Sequence, residues 1–240
     1  MQILGAAPNK YSDKNNNKRV TMDYKLKVRK AIAWFVPLIS WVTWNGLKAL
    51  VNGGLFFNIR EEDWDEIEER LAKNHYVILT RNATHLSTYF VAVGNKIATG
   101  KWGYWGHALM NLEDTNTPTE DDFRLVEATS KGVHYSTFFE VFTCDSVALL
   151  KPKGLTHEQW LRVMNKAKTE LGKPYDNLMD LTTDQDINCV ELVRVALQSL
   201  PDYDQRFANL EAMIKEHGNN LTPDMLYECP DFEIVFEVRR

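Results

Sequence analysis

Trp105-Gly106-His107-Ala108-Leu109-Met110, Leu125-Val126-Glu127-Ala128-Thr129 and Asn188-Cys189-Val190-Glu191-Leu192-Val193 are the strings that decide the fold. The first two alternate in the manner of strands, and the third opens a helical run over 190–197. Between the strands, Asp114-Thr115-Asn116-Thr117-Pro118-Thr119-Glu120 is a turn-former. A hairpin folded about position 117 sets His107 directly opposite Glu127. Opposed residues have Cβ atoms roughly 4.5–5.5 Å apart, within reach of a carboxylate–imidazole hydrogen bond. Cys189 begins the helix, where the positive end of the dipole favours a thiolate. Nucleophile, base and orienting carboxylate are then Cys189, His107 and Glu127.

Each of these residues has a plainer reading. Cysteine is among the residue types most often buried in cores, and Glu127 could be a solvent-facing strand residue. Cys144 and Cys229 have no comparable neighbours and read as structural. Of the other histidines, His75 follows an acidic helix, His157 sits in a helix cap, and His217 precedes a helix-ending Gly218. His85 and His134 are harder to set aside. His107 ranks first because its register faces Glu127. Glu191 reads as structural, since a residue two places after the nucleophile points away from it on a helix.

Further strings share an order with the three above. Tyr76-Val77-Ile78-Leu79-Thr80-Arg81 precedes the histidine strand, and Val126 to Val133 carries the second strand and its turn. Gly172-Lys173-Pro174-Tyr175-Asp176 lies upstream of the cysteine, and Leu221-Thr222-Pro223-Asp224-Met225-Leu226 with the strand at 232–238 closes the chain. Over about residues 74–238 the chain resembles the circularly permuted branch of the NlpC-type, papain-like cysteine peptidases and amidases, the YiiX-like group. In that branch the histidine strand comes first, a polar third residue follows on the next strand, and the cysteine helix comes last. Two departures stand out: Val190 where the family usually has serine after the cysteine, and Asn188 where it often has serine or an aromatic residue. The resemblance implies that Tyr175 lends a hydroxyl to the oxyanion or the substrate. Equally, Pro174-Tyr175-Asp176 reads as a turn with Asp176 capping the segment after it.

The chain has 240 residues, enough to bury one sizeable core. With 44% hydrophobic and 25% charged residues its composition is that of an ordinary globular protein. A net charge of −5 argues against general nucleic-acid binding, which needs clustered Lys and Arg. Three widely spaced cysteines without a Cys-x-x-Cys pair indicate neither a disulfide framework nor a zinc site. Free thiols fit a chain made in a reducing cytosol, and no metal or organic cofactor is expected.

Residues 1–23 read as a polar arm, 24–60 as an apolar, Trp-rich helical extension, and 61–240 as the permuted papain-like domain. Within the extension, residues 31–47 form an uncharged run of 17, the lower limit for a membrane span, diluted by Pro37, Ser40, Thr43 and Asn45. Trp34, Trp41 and Trp44 fall on one broad helical face. That face is expected to pack on its own domain or to dock on a protein partner through residues 1–57, with membrane contact as the lesser option. The long polar stretch before it is a poor match to a cleavable signal peptide.

An amphipathic helix is expected over 61–71, strands near 76–81, 104–113, 123–128 and 146–151, and a helix from Thr156-His157-Glu158-Gln159, a capping box, to about 171. Gly172 and Pro174 stop that helix. The cysteine helix spans roughly 189–199, a polar helical segment covers 201–220, and a last strand closes the chain. The fold class is α+β: a small antiparallel sheet packed on the cysteine helix, with an N-terminal helical extension.

The resemblance implies a cysteine-dependent hydrolase of amide bonds, acting on a peptide or a peptidoglycan stem peptide through a thioester. The Cys189 backbone N–H would join the oxyanion hole. Two other classes remain open. Relatives with the same permuted order include lecithin retinol acyltransferase-like proteins, which act on acyl lipids. Alternatively, the scaffold serves as an interaction module of a larger assembly such as a phage particle, with little chemistry of its own.

Overall fold

A computed structural model describes residues 59, 61–82, 86–111, 125–176, 181 and 185–239. The polar arm, the Trp-rich run and the turn at 112–124 lie outside the described residues. The elements, in chain order, are α1 (Glu61–Lys73), β1 (Val77–Arg81), α2 (Leu86–Thr99), β2 (His107–Asn111), β3 (Leu125–Thr129), β4 (Gly132–Ser136), α3 (Phe138–Phe142), β5 (Ser146–Pro152), α4 (His157–Thr169), α5 (Cys189–Leu197), α6 (Tyr203–Arg206), α7 (Ala208–Glu216), α8 (Pro223–Glu228) and β6 (Phe232–Val238). The strands form an antiparallel sheet in the order β4-β3-β2-β1-β5-β6. The fold is α+β.

The sheet is larger than expected, and it is covered on both faces. Because strand side chains alternate, each strand serves two cores. Val77, Leu79, Ala108, Met110, Val126 and Ala128 pack with α4, α5, α7 and α8. Ile78, Leu109, Leu125 and Leu149 pack with Ile67 and Leu71 of α1 and with Phe138 and Phe142 of α3. This double cover explains why the first four residues of β1 are all buried.

α5 lies against β2, β3 and α4. It is apolar nearly all round, as a central helix must be. Asn188 is its N-cap: the side-chain oxygen accepts from the Glu191 N–H (3.0 Å), and the Glu191 carboxylate accepts from the Asn188 N–H (3.3 Å). The asparagine that departs from the resembled family thus closes a capping box. Fully buried Leu192 anchors the helix; truncation of such a leucine costs about 2–5 kcal/mol.

The capping box at Thr156 and Gln159 forms as the sequence predicts. After α4, the chain runs back along β4: Gly172 N–H donates to Val133 O, and Val133 N–H donates to Lys173 O, each at 2.9 Å. This approach depends on Gly132, whose φ is +88° and whose Cβ, if present, would stand 2.5 Å from Lys173 O. The next pairing, Ile187 N–H to Pro174 O (3.0 Å) and Asp176 N–H to Ile187 O (3.2 Å), clamps Tyr175 beside the entry to α5.

Candidate active site

His107 and Glu127 meet, but not as directly opposed residues. β2 and β3 pair as Leu109↔Glu127, Met110↔Val126 and Asn111↔Leu125. The hairpin is therefore slipped by two residues from the register centred on position 117. A slip of two preserves side-chain parity, so both groups stay on one face. The diagonal spacing is spanned by two long side chains. His107 Nε2 lies 2.7 Å from Glu127 Oε2, with the side chains 24% and 12% exposed.

Pairing with β3 stops at Leu109, whereas pairing with β1 continues to Thr80↔His107. At that end of the strand the N–H of Ala108 donates to the Cys189 sulfur, and the Val190 N–H donates to it as well. Cys189, the first residue of α5, is itself buried and shares a hydrogen bond with His107. With Nε2 committed to Glu127, Nδ1 is the imidazole nitrogen left for the sulfur.

The electrostatics favour a charged pair. Burial works against the thiolate, but the charge and hydrogen bond of His107, with the two backbone N–H groups, outweigh it and hold the Cys189 thiol below its usual range. Burial likewise opposes the imidazolium, yet Cys189 and Glu127 push His107 up to about 10. Glu127 is held at about 2: burial would raise it, and His107, Ser136 and His134 more than offset that. The other thiols behave oppositely. Burial and the Asp145 charge push Cys144 far up, and burial pushes Cys229 up to about 12.

Two polar neighbours of Glu127 were not singled out as its partners by sequence reasoning. The Ser136 hydroxyl donates to Glu127 Oε1. His134, opposite Glu127 on β4, brings Nε2 to 3.4 Å from the same oxygen, while its Nδ1 is 2.8 Å from Gly132 O. The signal was present in Thr129-Ser130-Lys131-Gly132, a two-residue hairpin loop that fixes which β4 residues share a face with Glu127.

Tyr175 reaches the site through its hydroxyl, which hydrogen-bonds Cys189. Burial and the charges of Cys189 and Asp176 push that hydroxyl well above its ordinary range, so it remains a donor. Asp176 is buried, and its backbone N–H joins the Ile187 ladder. Glu191 is buried in the capping box, and burial pushes it up to about 7. His75 stacks on His157 and Trp160 in a different part of the molecule, and His217 caps α7. His85 lies outside the described residues. Among the described residues no cluster of three His, Cys, Asp or Glu side chains is arranged to hold a metal ion.

No protein-family model matches the sequence, and no curated protein does. A solved structure, that of the metalloprotein yiiX from Escherichia coli O157:H7, is similar to this chain, with a TM-score of 0.49 and 17% identity, over 70% of this chain and 99% of that one.

Proposed function

We propose that the chain is a cysteine-dependent hydrolase of amide bonds in the permuted NlpC-type, papain-like manner, with a peptide or peptidoglycan stem peptide as substrate. One observation carries this reading: a thiol at a helix N-terminus hydrogen-bonded to an imidazole that is in turn 2.7 Å from a half-buried carboxylate.

The Cys189 thiolate attacks the carbonyl carbon, forming a C–S bond and moving the carbonyl electrons onto oxygen. At the first helical position the Cys189 N–H has no intrahelical carbonyl to serve, so it is free to receive that oxyanion. The Tyr175 hydroxyl, held protonated, is a further donor at the sulfur. His107 then gives its proton to the leaving nitrogen as the C–N bond breaks, which leaves a thioester and neutral imidazole. His107 next takes a proton from water as the hydroxide adds to the thioester, and the thiolate departs with the acid as product. Glu127 supports the imidazolium in both halves without taking its proton.

The test is incubation with peptidoglycan stem peptides and with a mixed peptide library. Intact-mass spectrometry then looks for an acyl adduct on Cys189 that hydroxylamine removes. Cleavage with such an adduct, both lost in Cys189→Ser, supports the reading. A folded protein that forms no adduct and cleaves no amide, or that acylates only from lipids, overturns it.

A further inference from the structure

A second imidazole touches the catalytic carboxylate, and the mechanism leaves it unused. His134 stands directly opposite Glu127 in the β3–β4 ladder, which sets the two side chains on one face of the sheet. Its Nδ1 lies 2.8 Å from Gly132 O on its own strand. A carbonyl oxygen can only accept, so Nδ1 carries the hydrogen of that bond. Neutral imidazole has a single N–H, and neutral His134 therefore presents a bare lone pair at Nε2. That nitrogen faces Glu127 Oε1 at 3.4 Å. The Glu127 carboxyl is held at about 2, so at neutral pH its oxygens are acceptors only. Two acceptors then confront each other. A proton on Nε2 turns the same contact into a charged donor on a carboxylate.

The two oxygens of Glu127 have different work. Oε2 meets His107 Nε2 at 2.7 Å, whereas Oε1 receives the Ser136 hydroxyl and faces His134. Donors at Oε1 resist rotation of the carboxylate, and rotation would carry Oε2 away from His107. The surrounding charges are already engaged. Glu140 of α3 feels Glu127 and Lys131 and accepts from the Thr137 N–H. Lys173, whose backbone runs beside Val133, pairs with Glu170. Beyond Glu127 lie the His107 imidazolium and the Cys189 thiolate. With His134 protonated, the thiolate, the carboxylate and the two imidazoliums carry no net charge. Loss of that proton leaves the group net negative.

We propose that His134 is a positioning residue that holds Glu127 only while it is protonated, so that the placement of the carboxylate against His107 changes when His134 changes charge. This deepens the hydrolase reading and rests on it for its catalytic meaning. The direction is fixed by the Gly132 bond. As pH rises and His134 loses its proton, Ser136 is left as the donor on Oε1 and the Nε2 lone pair pushes that oxygen away.

Nuclear magnetic resonance of the full chain labelled with 15N-histidine provides the test, because ring nitrogen shifts report which nitrogen bears hydrogen. Spectra are recorded across the pH range in which His134 titrates, with circular dichroism to verify folding of each variant. Two results are expected in the parent chain. Deprotonated His134 keeps its hydrogen on Nδ1, and the ring signals of His107 shift in a step at the same pH. In His134→Gln the step at His107 is absent. In Glu127→Gln, where His134 still titrates but the carboxylate is gone, the step is largely lost. Deprotonated His134 with its hydrogen on Nε2 overturns the proposal, and needs no variant to be seen. A His107 signal that does not follow His134, or a step of parental size in either folded variant, overturns it as well. None of these measurements requires a substrate, so their failure is distinct from the absence of an acyl adduct on Cys189, which bears on the hydrolase reading itself.

Discussion

Glu127 stands opposite Leu109 in the β2–β3 ladder, yet its Oε2 is 2.7 Å from Nε2 of His107. The same end of the strand serves the thiol: the N–H of Ala108, between His107 and Leu109, donates to the Cys189 sulfur. The strand end that orients the base therefore also stabilises the nucleophile.

Cys189 is expected to be alkylated by iodoacetamide at neutral pH in strong preference to Cys144 and Cys229, whose thiols burial pushes up. His107→Ala should move the midpoint of alkylation upward, since burial of the sulfur persists after its main counter-charge is gone. Equal labelling of the three cysteines in the native chain would falsify the assignment of Cys189 as the nucleophile.

Glu127→Gln should reduce turnover at least about a hundredfold, by the loss of tautomer control and of the charge that supports the imidazolium. In the parent chain, turnover should fall at high pH as His107 loses its proton near 10. In the variant this alkaline limb should move to lower pH. Stability offers an independent check with a defined sign. The Glu127 carboxyl is depressed in the folded chain, so its contribution is present above its unfolded value of 4.5 and is lost as pH falls toward about 2. Acid unfolding of Glu127→Gln should show less pH dependence across that window.

Ser136→Ala removes a donor to Glu127 Oε1 without touching the imidazole. The loss of a hydrogen bond to a charged group costs about 1.5–3 kcal/mol. It should raise the Glu127 pKa and weaken its hold on His107, visible as a downward shift of the alkaline limb of turnover. Ser136→Thr, which keeps the hydroxyl, should restore the profile. A profile identical to the parent in Ser136→Ala would show that this serine does not position the carboxylate.

Gly132→Ala places a side chain in a left-handed conformation and 2.5 Å from Lys173 O. Destabilisation beyond about 1 kcal/mol is expected, a melting-point drop of at least ~2 °C for a domain of this size. Since the same approach aligns Pro174 and Tyr175, the iodoacetamide rate at Cys189 should change too. A wild-type melting curve would contradict the close packing of this turn against 172–173.

Local signals in the sequence were sufficient for several elements because their causes are local. The Thr156 and Gln159 box starts α4, Gly172 takes a left-handed φ just past its end, and the apolar run after Asn188 becomes α5. α2 and α8 were not foreseen. α2 contains Gly94 and β-branched residues that weaken helix propensity, and it is held by tertiary bonds such as Thr222 Oγ1 to Asn95 Oδ1 at 2.6 Å. β4 and α3 were also missed, since short elements carry too few residues to show a period.

The sequence by itself determined the order histidine strand, carboxylate strand, cysteine helix, and the parity that keeps His107 and Glu127 on one face. Parity is a property of the extended backbone and survives a slip of two residues. Only the tertiary structure decided the register, because the turn between the strands admits more than one pivot and the choice belongs to packing against α1, α3 and α5. It alone decided that the β2–β3 ladder ends at Leu109, that Ser136 and His134 flank Glu127, and that Tyr175 reaches the sulfur. Those contacts join residues far apart in the chain, and no local pattern encodes a distance that depends on how two cores close around one sheet.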